Sequence, residues 1–141
     1  MTEQFIGNNI AQTRPRRPIG QAMWRGFLGR CPHCGKGKLF RAFVKSVDNC
    51  SVCGEDYTHH QADDFPAYIT ITIVGHIVLG GFLATETLLI LSNWAHLAIW
   101  VPLTIIMSIA LLQPVKGAII GLQWANYMHG FGEHSDPKPS E

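Results

Sequence analysis

The stretch from Pro66 to Leu122 most constrains what this chain can become. Between Phe65 and Val115 the one charged side chain is Glu86, in a sequence that holds eleven basic and ten acidic residues. The first run, Ala67 to Leu91 (AYITITIVGHIVLGGFLATETLLIL), is apolar around its whole helical circumference. As a helix it rises about 37 Å, enough to cross a hydrocarbon core of about 30 Å. A second run, Leu97 to Leu112 (LAIWVPLTIIMSIALL), follows after only SNWAH, so the two helices must be antiparallel neighbours. A soluble hairpin this apolar would need other segments to wrap it, and a chain of 141 residues has none to spare. The sequence therefore predicts a membrane α-helical hairpin of two transmembrane helices.

With the turn placed near Trp94, the partner of Ala67 falls near Gly121. The second helix then continues through Gln113 and bends at Pro114, where a backbone hydrogen bond is lost. The competing arrangement ends the span near Gln113 and lays residues 115–129 flat in the interface. The same register sets one small or polar row, Thr72, His76, Gly80 and Ala84, against another, Thr104, Ser108, Leu112 and Lys116. Membrane helices pack through such rows by close approach and interhelical hydrogen bonds. Nine basic residues lie between Arg14 and Lys45, Lys116 and Lys138 fall at or beyond the far end of the second helix, and SNWAH holds none. The positive-inside rule then puts both termini in the cytoplasm of a multi-pass protein.

The strongest chemical signal lies before the hairpin, where CPHCG and CSVCG stand fifteen residues apart. C-x2-C…C-x2-C at this spacing is the pattern of a small cytoplasmic four-cysteine zinc-ribbon-like module, with Cys31, Cys34, Cys50 and Cys53 as ligands. Two intervening residues let one tight turn present both sulfurs to a single ion, and Gly35 and Gly54 supply the backbone freedom that turn needs. Cytoplasmic reductants argue against paired structural disulfides. A thioredoxin-like redox pair explains one CxxC but not two. Iron remains the competing metal, because tetrahedral S4 sites suit it as well as zinc. KLFRAF and KSV read as a short hairpin between the knuckles, too small to hold together without an ion. His33 is read as an exposed spacer.

Four segments follow: a disordered basic arm (1–21), the zinc-ribbon-like module (22–62), the hairpin with a cytoplasmic extension (63–129) and a disordered tail (130–141). The basic arm suits anionic lipid headgroups or simply fixes topology. AMWRGFL at 22–28 is a short amphipathic segment whose Trp24, Phe27 and Leu28 rest on a membrane surface or on the next module. In YTHHQADDF, His59, His60, Asp63 and Asp64 either form a second metal site or leave Asp63 or Asp64 to cap the first helix, with Pro66 in its first turn. Lys116 is the expected counter-ion. His76, near mid-bilayer, is the candidate cofactor-binding residue, as a copper or haem ligand or a proton relay; otherwise it is a neutral imidazole bonded across the hairpin. Gly117, Gly121 and Ala125 make a GxxxG-type surface for the first helix or for a partner. Trp124 and Tyr127 read as interfacial anchors.

Taken together, CPHCGKGKLFRAF, CSVCG, HHQADDFPAYITITIVGH and PVKGAIIGLQWANYMHGF resemble the bacterial inner-membrane proteins grouped as DUF983, over about Arg30 to Phe131. The positions that carry the resemblance are Cys31, Cys34, Cys50, Cys53, Asp63, Asp64, Pro66, Tyr68, His76, Pro114, Lys116, Gly117, Gly121 and Trp124. That family is often encoded beside assembly factors of haem-copper cytochrome oxidases, which implies an accessory role in respiratory chain assembly.

From these residues the expected function is a non-enzymatic accessory protein that meets membrane lipid and docks on a membrane-protein partner. The alternative is an intramembrane copper- or haem-handling protein built on His76 and the neighbouring acidic and histidine residues. A net charge of +1 argues against nucleic acid as a partner. No nucleophile-base arrangement, phosphate-cradling glycine loop or small-molecule substrate site is evident, so catalysis is not expected.

Overall fold

The computed structural model describes residues 15–58 and 64–131. Expectations for residues 1–14, for His59, His60 and Asp63, and for the tail beyond Phe131 lie outside them. In chain order the elements are α1 (Ile19–Phe27), β1 (Phe40–Ala42), β2 (Lys45–Ser46), α2 (Phe65–Leu88) and α3 (Asn93–Ala125), with a 3-10 turn at Met128–Gly130.

The two long helices are built as their sequences dictate. Pro66 sits in the first turn of α2, where a missing N–H costs nothing. Asp64 occupies the N-cap position, but its side chain makes no capping bond. Ser92 starts α3, its hydroxyl accepting from the Ala95 N–H at 3.3 Å. α3 then runs unbroken through Pro102 and Pro114 to Ala125, so residues beyond Gln113 continue the helix. Both helices are long and apolar enough to cross a membrane, and their most apolar windows are only 11% and 6% buried. A core helix of a soluble domain would be covered; these present their apolar surface outward.

The hairpin turns earlier than the sequence suggested. Serine is a strong helix starter, so α3 begins before Trp94, and Trp94 and His96 belong to its first turn. The register shifts accordingly. A Cβ on Gly81 would fall on the Trp100 ring, and Trp100 Nε1 donates to Thr85 Oγ1 at 3.3 Å. The face of α2 turned to α3 carries Pro66, Thr70, Val74, Val78, Gly81 and Thr85. Thr72, His76, Gly80 and Ala84 instead lie on the open face, correcting the expected pairing of that row. The facing row on α3 is placed as expected in part, since Thr104, Ser108 and Leu112 are half-buried along the hairpin. Apart from Thr85, which accepts from Trp100, the hydroxyls along the hairpin do not bond across it. Thr70, Thr72, Thr104 and Ser108 each bond the carbonyl four residues back in their own helix, at 2.8, 2.8, 2.6 and 2.7 Å.

Past the start of α2, α3 projects alone and becomes the spine of a second unit. α1 crosses it at backbone contact: a Cβ on Gly26 would fall on the Gly117 carbonyl, one on Gly117 on the Gly26 carbonyl, and one on Gly121 on the Ala22 carbonyl. Ala22/Gly26 and Gly117/Gly121 are two small pairs at four-residue spacing, and close approach needs both. The GxxxG surface thus faces α1, rather than α2 or an outside partner. Trp24, Phe27 and Leu28 remain exposed on the other side of α1.

The cysteine module closes against the same spine. Its core joins Ala22, Cys31, Leu39, Cys50 and Tyr57 to Val115, Ile119, Ile120, Trp124 and Phe131. β1 and β2 form the expected antiparallel hairpin between the knuckles, with Phe40 opposite Ser46 and Ala42 opposite Lys45. At its tip Val44 takes φ 61°, a conformation that a β-branched residue resists. Its carbonyl accepts from Lys116 Nζ at 2.8 Å. Lys116 therefore pins the hairpin tip and is not a counter-ion to Asp64. Trp124 is 4% exposed, so it is a core residue and not an interfacial anchor. The Arg17 guanidinium lies 4.0 Å from the centroids of both the Trp124 and Tyr127 rings and donates to the Trp124 carbonyl at 2.8 Å. Phe131, expected in a disordered tail, is buried with its ring 6.3 Å from that of Tyr57.

Candidate metal centre

The two knuckles are built alike. In the first, the Gly35 N–H bonds the Cys31 carbonyl at 2.8 Å; in the second, the Gly54 N–H bonds the Cys50 carbonyl at 3.0 Å. Both glycines take positive φ, 71° and 75°, which closes each turn and aims two sulfurs at one point. Arg25 on α1 fixes the first knuckle by donating to the carbonyls of His33 and Pro32 at 3.0 and 3.3 Å.

All four sulfurs lie within 4.8 Å of one another, with Cys31 and Cys53 at 3.6 Å and Cys34 and Cys50 at 3.8 Å. Four sulfurs held about 2.3 Å from a central ion stand about 3.8 Å apart, so the arrangement fits a tetrahedral metal such as zinc. A disulfide needs about 2.0 Å, and the four cysteines are free. Among the described residues this is the one group of three or more side chains placed to share an ion. Gly37 lies against the cluster: a Cβ there would meet the Cys50 sulfur and come within 3.6 Å of the Cys31 Cβ.

Without an ion the thiols are unequal. N–H groups of Gly37 and Lys36, at 3.4 and 3.5 Å, hold Cys34 down to about 6. Burial pushes Cys31 up, opposed by the Tyr57 hydroxyl 2.7 Å from its sulfur, and burial raises Cys53 well above the usual thiol range. Burial also raises the Tyr57 phenol, so it stays protonated and donates to the Cys31 sulfur. A dication among the sulfurs deprotonates coordinating thiols outright. Tyr57 then fixes one ligand in orientation, as outer partners of metal ligands do. Four protein ligands complete a tetrahedron and leave no position open for a substrate.

His33 lies outside this set, exposed, with Nδ1 3.7 Å from a Glu55 carboxylate oxygen and its ring 5.5 Å from Trp124. His76 is on the open face of α2, its Nδ1 donating to its own helix at the Thr72 carbonyl, 2.7 Å away. Its imidazole is thus bonded along α2 and not across the hairpin. The structure pairs different groups at the far turn: buried His96 places Nε2 3.1 Å from Glu86, a charge-pair distance without hydrogen-bond alignment. Sequence reasoning named Glu86 but passed over His96, which reads as part of the loop. It also missed Tyr57 and Gly37 around the sulfurs. It missed Gly26 as well, although Ala22 and Gly26 repeat the four-residue spacing of Gly117 and Gly121.

No curated protein and no solved structure matches the chain. One family model does, over residues 40–124; that span takes in the second knuckle, both long helices and the Gly117/Gly121 crossing, while Cys31 and Cys34 precede it. By that match the chain belongs to the family described as Protein of unknown function (DUF983).

Proposed function

We propose that this chain is a non-enzymatic membrane accessory protein. Its hairpin crosses the bacterial cytoplasmic membrane with both termini inside, and its cysteine module is a zinc ribbon held at the cytoplasmic face for docking on another membrane protein. The observation that carries this reading is the way α3 leaves the hairpin and becomes the spine of the module. Backbone crossings at Gly26–Gly117 and Ala22–Gly121, and the Lys116 bond to Val44, hold the module in one place instead of on a tether. A recognition surface gains from such preorganisation.

Supporting features agree. Apolar windows buried to only 11% and 6% need an apolar surround. The basic residues cluster on the module's side of the hairpin. A closed set of four thiolates suits a structural zinc. The open row of Thr72, His76, Gly80 and Ala84 gives a partner helix a small-residue surface to approach. The partner class implied by the family resemblance is a haem-copper respiratory oxidase or its assembly factors.

Affinity purification in mild detergent with metal quantification tests the reading. One zinc per chain and a stoichiometric membrane-protein partner are expected. Recovery of the chain alone, or a coloured iron protein, overturns it, as does release from vesicles by alkaline carbonate.

A further inference from the structure

The module carries a second site, formed where it meets α3. A cavity of about 640 Å³ opens beside the first knuckle, lined by Arg30, Lys36, Lys38 and Gln113 with Leu28 and Phe40. Among the described residues no acidic side chain lines it. Arg30 and Lys38 face each other across an isolated antiparallel bridge, so their Cβ atoms stand about 5 Å apart. Like charges directly opposed destabilise a pair of strands, and among the described residues these three exposed cationic side chains have no hydrogen-bond or ion-pair partner. An anion between them would turn repulsion into binding.

Depth identifies the anion. Leu112, next to Gln113, shares a groove with Ala67 and Thr70 in the first turns of α2, so Gln113 is level with the end of the hairpin. On the membrane reading above, that is headgroup level. One and two turns nearer the hairpin, on the same face of α3 as Gln113, Ile109 and Ile106 are 54% and 64% exposed, an apolar surface on which acyl chains can lie. Phosphate contacts at the edge of an exposed apolar surface match a phospholipid better than a soluble ion.

We propose that Arg30, Lys36, Lys38 and Gln113 seat the phosphate headgroup of one anionic phospholipid, with its chains against Ile109 and Ile106. Basic pockets of this kind on the cytoplasmic side of membrane helices take anionic headgroups. The lipid would join the module to the bilayer where the first knuckle meets α3.

The test is native mass spectrometry of the zinc-loaded full chain in detergent with equal phosphatidylglycerol and phosphatidylcholine. Preferential retention of one phosphatidylglycerol is expected. A cation near a headgroup contributes about fivefold in affinity, so Arg30→Gln with Lys38→Gln lowers retention by roughly 25-fold. Zinc content should not change. Arg16→Gln with Lys45→Gln removes the same charge elsewhere and should leave retention intact; equal losses in both double variants would reduce the site to general attraction and overturn it. So would equal binding of the two lipids, or displacement of phosphatidylglycerol by inorganic phosphate at matched ionic strength, which would assign the cavity to a soluble anion. A protein that resists carbonate extraction yet shows no lipid preference refutes the seat alone, whereas release by carbonate refutes the membrane reading on which it rests.

Discussion

Replacing Gly117 by alanine should undock α1 from α3. The added methyl would fall on the Gly26 carbonyl oxygen and lie 2.7 Å from its carbon, well inside van der Waals contact. Overpacking costs about 1–3 kcal/mol, and the upper end applies because a peptide group cannot rotate aside as a side chain can. The better helix propensity of alanine, about 1 kcal/mol, does not offset this, because α3 is helical whether α1 is docked or not. The undocking equilibrium therefore shifts by about 3 kcal/mol, or about 150-fold. α1 has nine residues, too few to remain helical alone, so undocking exposes its amides. Hydrogen exchange of a peptide covering Ala22–Leu28 should therefore accelerate about 150-fold in the variant. Gly80→Ala is the control, since a Cβ there meets nothing within 4 Å and exchange should match the wild type. Gly26→Ala with Gly117→Ala should cost less than the two singles summed, because both act on one crossing and the second methyl enters a gap the first has opened. Wild-type protection in Gly117→Ala would refute the backbone-contact account of how the module is held.

Four further outcomes follow from the metal centre. Gly37→Ala should lower metal affinity on the order of tenfold or more in chelator competition, because its methyl meets the Cys50 sulfur. Tyr57→Phe keeps the ring against Phe131 but removes the hydroxyl from Cys31, and the same competition should show about a tenfold loss. After metal removal, alkylation near neutral pH followed by peptide mass spectrometry should label Cys34 first: its thiol, held to about 6, is mostly thiolate above that pH, while Cys53 is raised and stays protonated. Labelling of Cys53 first would contradict this order. His76→Ala should leave metal content unchanged, since the ring bonds its own helix, and a loss of copper or haem would instead support the intramembrane cofactor reading.

Several features were legible in the residues because one chemical need selects them. Paired CxxCG motifs specify two turns that converge four sulfurs, and Gly35 and Gly54 take the positive φ that those turns need. Two long runs without charge specify two long apolar helices. The helical register was not legible, for it depends on where the turn starts. Ser92 outcompeted the apolar pattern as the starting point, and moving the turn a few residues rotated the contact face of α2 from Thr72 and Gly80 to Thr70 and Gly81. Hydroxyl rows misled for a related reason: Thr and Ser on helices satisfy themselves on their own backbone, so a polar stripe need not mark an interface. Aromatic residues near a helix end read as membrane anchors by position alone, yet Trp124 had the module to cover it. Gly117 and Gly121 announced close approach but not the partner, which became identifiable only when Ala22 and Gly26 were seen at the same spacing across the crossing.

One consequence of α3 concerns mechanics. The helix that lines the hairpin also carries the sulfur cluster, and its 33 residues extend about 50 Å. Pivoted at the Ser92 end, such a lever swings its other tip about 9 Å for a tilt of about 10°, well within the range over which membrane helices lean as bilayer thickness changes. On the membrane reading proposed above, α1 and Lys116 lock the cluster to that tip, so lipid thickness or a neighbour pressing on the hairpin would be read out as displacement of the four sulfurs.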